Sequence, residues 1–99
     1  MRDAMMKALF ELANDNKDLV LITGDLGFGL FEGFSEKLPS QFINIGIAEQ
    51  NMIGVATGLA LEGKTVFVYS IGNFPTLRCL EQIRNDACYH DLNINIICM

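Results

Sequence analysis

The sequence predicts an α/β domain: a parallel sheet with helices on both faces. Three observations carry that expectation. Short apolar runs alternate with longer segments of helical periodicity, glycine-bearing or polar turns separate them, and the apolar runs are continuous. A continuous run is the mark of a strand covered on both sides, as parallel strands are, and regular strand–helix alternation builds such a sheet.

Taken in order, Met5, Met6, Leu9, Phe10 and Ala13 recur at helical spacing, so a helix is expected over Arg2–Asn14, stopping at Asn14-Asp15-Asn16. Leu19–Thr23 (LVLIT) is the first strand, and Gly24-Asp25-Leu26-Gly27 turns the chain. A second helix is expected over Leu30–Lys37, ending before Pro39, followed by a short strand at Phe42–Ile45. Ala48–Leu61 reads as a helix whose small residues allow close approach to the sheet. Gly63 ends it, and Thr65–Tyr69 (TVFVY) forms the third strand. The loop SIGNFP leads into a helix over Pro75–Tyr89, with Pro75 suited to a first helical position. Asn93–Met99 (NINIICM) is the fourth strand. Because the chain ends inside that apolar strand, the domain over residues 1–99 is expected to be partial, its sheet incomplete at the C-terminal end.

Composition narrows the function. Ninety-nine residues suggest one small domain, and 51% hydrophobic residues suffice for a core. A net charge of -5, with seven scattered basic residues, argues against nucleic-acid binding. The longest apolar run, Ile53–Leu61, falls far short of the roughly 20 residues of a membrane-spanning helix. The charged start has no leader character. Cys79, Cys88 and Cys98 lack metal-site spacing, so no metal site is expected in the chain, and a reducing cytoplasmic location is the simplest reading. The methionines and cysteines are expected to fill the core.

The segment NIGIAEQNMIGVATGLALEGKTVFVYS, with ITGDLG upstream and LRCLEQIRNDACYHDLNI downstream, resembles the pyrimidine-binding domain of transketolase-like enzymes dependent on thiamine diphosphate, and is similar also to deoxyxylulose-phosphate synthase. The resemblance covers nearly the whole chain. It implies that Glu49, in G-I-A-E-Q, is catalytic and reaches ring nitrogen N1′ of the cofactor aminopyrimidine, favouring the imino form that takes a proton from the thiazolium carbon. The cofactor carries the carbanion chemistry and the protein orients it. Asp25, in the turn after the first strand, matches an acidic position near the cofactor. Phe74 matches an aromatic that stacks on the pyrimidine.

Each of these residues also has a plainer account. A glutamate in the first turn of a helix is favoured by the helix dipole, a turn aspartate often bonds its own backbone, and an aromatic at a loop–helix junction is often core. Gln50 is either a support for Glu49 or simply solvated. Arg78 and Glu81 match polar positions of relatives and also fit an exposed i, i+3 ion pair. His90 suits a helix C-terminus.

The same resemblance implies a partner. The G-D-G motif of the family's diphosphate and Mg²⁺ site is absent from this chain, so Mg²⁺ is expected mainly on a diphosphate-binding domain or subunit, in a dimer or hetero-oligomer. The implied reaction moves a two-carbon ketol unit between sugar phosphates, and the isolated chain is expected to be inactive. Three alternatives stay open: a decarboxylating relative with the same cofactor geometry, such as a deoxyxylulose-phosphate synthase or the β-subunit of a 2-oxoacid dehydrogenase; a nucleotide-binding module using the glycine-rich turn Gly24–Gly29; and a non-catalytic remnant that pairs with a partner.

Overall fold

The computed structural model describes residues 1–99. Its elements run α1 (Arg2–Asp15), β1 (Leu19–Thr23), α2 (Glu32–Lys37), β2 (Phe42–Asn44), α3 (Glu49–Leu61), β3 (Thr65–Ser70), α4 (Leu80–Gln82) and β4 (Ile94–Cys98). The four strands form one sheet in the order β2-β1-β3-β4, and every pairing is parallel. The α/β class expected from the alternation is what the chain adopts.

Pleating sorts β1 between two cores. Leu19 and Leu21 face α1 and α2 with Met6, Leu9, Ala13 and Phe34. Val20 and Ile22 face α3 with Met52, Ile53 and Ala56, joined by Val66 and Val68 of β3. All five residues of β1 are buried, which is why the run carries no polar alternation. Met6, Met52 and Cys79 are core residues as expected. Met1, Met99, Cys88 and Cys98 are exposed, which corrects the expectation that all methionines and cysteines fill the core.

The longest departure follows β3. In place of one helix over Pro75–Tyr89, the chain makes a turn through Pro75, a 3-10 turn at Leu77–Cys79, α4, and a π-helical stretch at Ile83–Cys88. Pro75 is therefore not a first helical residue. Arg78 N–H donates to the Asn73 carbonyl (3.1 Å) and Tyr89 N–H to that of Arg84 (3.1 Å), both wider than the α-helical step. The second helix begins at Glu32, because Leu30 N–H is taken by the Gly27 carbonyl in a turn.

The connections set the site. The segment leaving β1 crosses to the α1 side, while the segment leaving β3 packs Cys79 and Ile83 on the α3 side. Neighbouring strands whose connections diverge open a crevice at their carboxyl ends, the usual ligand position in open parallel sheets. No helix is long and apolar enough to cross a membrane.

Candidate functional site

Glu49 opens α3 just beyond the carboxyl end of β2. Gly46, at φ 78°, makes the intervening turn in a conformation that disfavours any residue with a Cβ. Its N–H donates to Asn44 Oδ1 (3.1 Å), which also accepts from Asp25 N–H (2.9 Å). One asparagine thus ties the turn after β1 to the turn before α3. On the far side, a Cβ on Gly24 would lie 3.2 Å from the Gly46 carbonyl and 3.9 Å from Glu49 Oε1, so a side chain here would press on the turn before α3.

The Glu49 side chain is 5% exposed. Its Oε2 accepts from Arg78 Nη1 at 3.3 Å, and Oε1 makes no hydrogen bond within the chain. The Arg78 guanidinium lies over the Phe74 ring at 4.2 Å from the centroid. Gln50 Nε2 donates to the Arg78 carbonyl (3.1 Å), so Gln50 supports the site rather than pointing only to water. The pairing of Arg78 with Glu49 corrects the expected Arg78–Glu81 pair. An open depression of about 380 Å³ lies against Ala48, Glu49, Gln50, Asn51 and Arg78. Cys79, buried behind it, has its thiol pushed up by burial; the Glu49 charge adds to this and Arg78 opposes it.

Asp25 stands apart. It adopts φ 57°, and its Oδ1 accepts from Asn44 Nδ2 (3.2 Å), in a second depression that includes Thr23, Phe31, Glu32 and Phe42. It bonds another residue's side chain, not its own backbone. In the same turn two amides are already engaged: Asp25 N–H with Asn44 Oδ1 (2.9 Å) and Gly29 N–H with Glu32 Oε1 (2.8 Å). His90 Nδ1 lies 2.8 Å from the Asp86 carbonyl at the helix end. Asn44 and Gln41 are not legible in the sequence as site or frame residues, although N-I-G is a short Asx-turn signal.

The structure therefore gathers Glu49, Arg78 and Phe74 at the carboxyl edge of the sheet, where a buried carboxylate keeps one oxygen free. Residues 1–99 match the family model described as transketolase, pyrimidine binding domain. The chain belongs to this family. This pyrimidine-binding domain is 40% identical over 97 residues to an apulose-4-phosphate transketolase subunit of Phocaeicola vulgatus, covering 97% of the chain and 31% of that protein. It is 38% identical over 90 residues to 1-deoxy-D-xylulose-5-phosphate synthase of Carboxydothermus hydrogenoformans, covering 89% of the chain and 14% of that protein. A solved structure of a split gene transketolase, described as an inactive beta4 tetramer, superposes with a TM-score of 0.86 at 42% identity, over 96% of the chain and 32% of that structure. The domain thus spans about a third or less of the length of these relatives.

The residues present fit one part of the cofactor this family implies. A buried carboxylate with an unbonded oxygen beside an open depression suits a heterocycle with a ring nitrogen, and Phe74 reaches this carboxylate only through Arg78. No group of three or more His, Cys, Asp and Glu side chains is placed to hold a metal ion.

Proposed function

We propose that this domain is the pyrimidine-binding part of a transketolase-like enzyme that moves a two-carbon ketol unit between sugar phosphates. The observation that carries the reading is Glu49: buried at the start of α3, ion-paired through one oxygen and free at the other. When bound, thiamine diphosphate supplies the carbanion chemistry; the protein supplies orientation and proton handling. With the cofactor bound, Glu49 Oε1 would be the group that faces ring nitrogen N1′ and holds the proton there. Phe74 would present to the pyrimidine the ring face that Arg78 does not cover, and Asp25, tied to Asn44, would keep the neighbouring turn in place at the cofactor's edge.

The diphosphate and its Mg²⁺ sit on a separate diphosphate-binding domain or subunit, so the working enzyme is a dimer or hetero-oligomer in the cytoplasm. One relative is a transketolase subunit and another a split-gene transketolase, which supports this division of labour. The inactive state of the split-gene tetramer supports the expectation that the chain alone does not turn over.

The test is ketol transfer with thiamine diphosphate and Mg²⁺, by the domain alone and then with a diphosphate-binding partner. Activity is expected only with the partner. Glu49→Gln should lower kcat by at least about 100-fold, the scale of one positioned proton-transfer group, with an unchanged circular dichroism spectrum. Near-normal turnover in that variant would remove Glu49 from the mechanism. No activity with a correctly assembled partner would favour a non-catalytic pairing module.

A further inference from the structure

We propose that Arg78 is a positioning residue for Glu49, a role that rests on the reading of Glu49 as the group facing the aminopyrimidine. A carboxylate buried to this degree is costly to leave unpaired. Arg78 supplies the only charge-assisted contact it has within the chain. The contact is made by one nitrogen to one oxygen, so it occupies Oε2 and leaves Oε1 open. A bidentate clasp would have closed both oxygens to a ligand.

The guanidinium is itself held from the other side. It lies over the Phe74 ring at 4.2 Å, within the range of a cation–π contact. The Arg78 main chain is fixed twice: its carbonyl accepts from Gln50 Nε2, and its N–H donates to the Asn73 carbonyl (3.1 Å each). Gln50 is the neighbour of Glu49 in the first turn of α3, so this turn and the 3-10 turn after β3 are joined by two contacts. Ring, guanidinium and carboxylate are linked in series, the first two by a cation–π contact and the last two by one hydrogen bond. Removing either support lets the carboxylate swing toward the open depression beside it.

The flat shape matters as well as the charge. Lysine would retain a cation but neither the planar stacking on Phe74 nor the fixed donor direction. Arg78 is about half exposed, so its substitution removes the support without opening a core cavity.

The experiment uses the domain assembled with its diphosphate-binding partner. It compares wild type, Arg78→Met, Arg78→Lys, Phe74→Leu and Glu49→Gln, reading the thiamine diphosphate Kd by calorimetry with Mg²⁺ present, then kcat and the sugar-phosphate KM. Arg78→Met should raise the cofactor Kd about tenfold and lower kcat about tenfold or more, the scale of one charge-assisted hydrogen bond. KM for the sugar phosphates should stay unchanged, and Arg78→Lys should recover only part of the loss. In the Glu49→Gln background Arg78→Met should add little to Kd, because both changes disable one unit.

A raised KM with unchanged kcat and cofactor Kd would overturn the proposal and make Arg78 a substrate contact. Fully additive losses would also overturn it. If Glu49→Gln abolishes turnover while Arg78→Met behaves as wild type, only the positioning role fails. If Glu49→Gln itself leaves kcat and Kd intact, the reading of Glu49 fails first.

Discussion

Gln41 is the polar residue on which the frame depends most. It is buried, and its Nε2 donates toward three main-chain carbonyls: Ala13 (2.8 Å), Asn16 (2.9 Å) and Leu19 (3.0 Å). Those groups include the unpaired carbonyl end of α1 and the first residue of β1, so one amide closes the α1–β1 turn. Gln41→Ala should destabilise the domain by about 3 kcal/mol, combining orphaned carbonyls with a small cavity. Urea unfolding would measure it, with Glu11→Ala, exposed on α1, as a comparison expected to change stability by about 0.5 kcal/mol or less. Nothing about a glutamine between Ser40 and Phe42 advertises this role, since its partners lie 22 to 28 residues away and follow no period. The pairing of Arg78 is hidden for a related reason: Glu81 stands at helical spacing, whereas the true partner Glu49 is 29 residues upstream. Glu49 stands out in the sequence only through the resemblance of G-I-A-E-Q and its flanks to the family, since spacing alone shows no more than a carboxyl group at a helix start.

At the scale of the element, the turn after β1 shows how local chemistry limits substitution. Gly27 has φ 82°, and a Cβ there would come within 2.2 Å of the Phe31 ring, itself buried in the core. Gly27→Ala should therefore cost about 2 kcal/mol or more in urea unfolding, from conformational strain and overpacking together. In the same turn, Gly29 N–H donates to Glu32 Oε1 at the start of α2. That bond, with smaller backbone contributions from Glu32 and Phe31 opposed by desolvation, holds the Glu32 carboxyl below its ordinary value of 4.5. A depressed carboxylate contributes stability that is complete above its unfolded value and is lost as pH falls through the folded one. Wild type should thus lose stability relative to Glu32→Gln as pH drops from neutral to below 4.5, followed by thermal midpoints across that range. The strands are legible because five- or six-residue apolar runs have few other outcomes. The segment after β3 is not, because helical periodicity does not distinguish α from 3-10 and π winding, which differ only in the hydrogen-bond step.

Across the whole molecule, the two faces of the sheet are unequally covered. On the α3 side the helices reach β1, β3 and β4, with Ile94 and Ile96 packed against that core. On the other side α1 and α2 lie over β1 and β2, and a groove runs between α1 and strands β3 and β4. Met5, Ala8, Leu9, Leu12, Phe67 and Ile97 line it, all hydrophobic, and β4 forms the edge of the sheet. Leu12 is 56% exposed on the rim. An apolar groove beside an unpaired parallel strand leaves surface that water solvates poorly and that another chain can cover. The isolated domain should accordingly associate as concentration rises, seen as a shift in sedimentation coefficient. Leu12→Lys places a charge on the rim at a position whose side chain is already half in water, so the fold should tolerate it while association weakens. Unfolding midpoints of wild type and variant, compared at a single low concentration, separate the two effects. A wild-type domain that sediments as a monomer at every concentration would overturn the expectation that a second copy covers the groove. A variant that associates as strongly as wild type would place the contact elsewhere, with the exposed Ile47 and Phe28 at the carboxyl end of the sheet as the next surfaces to alter.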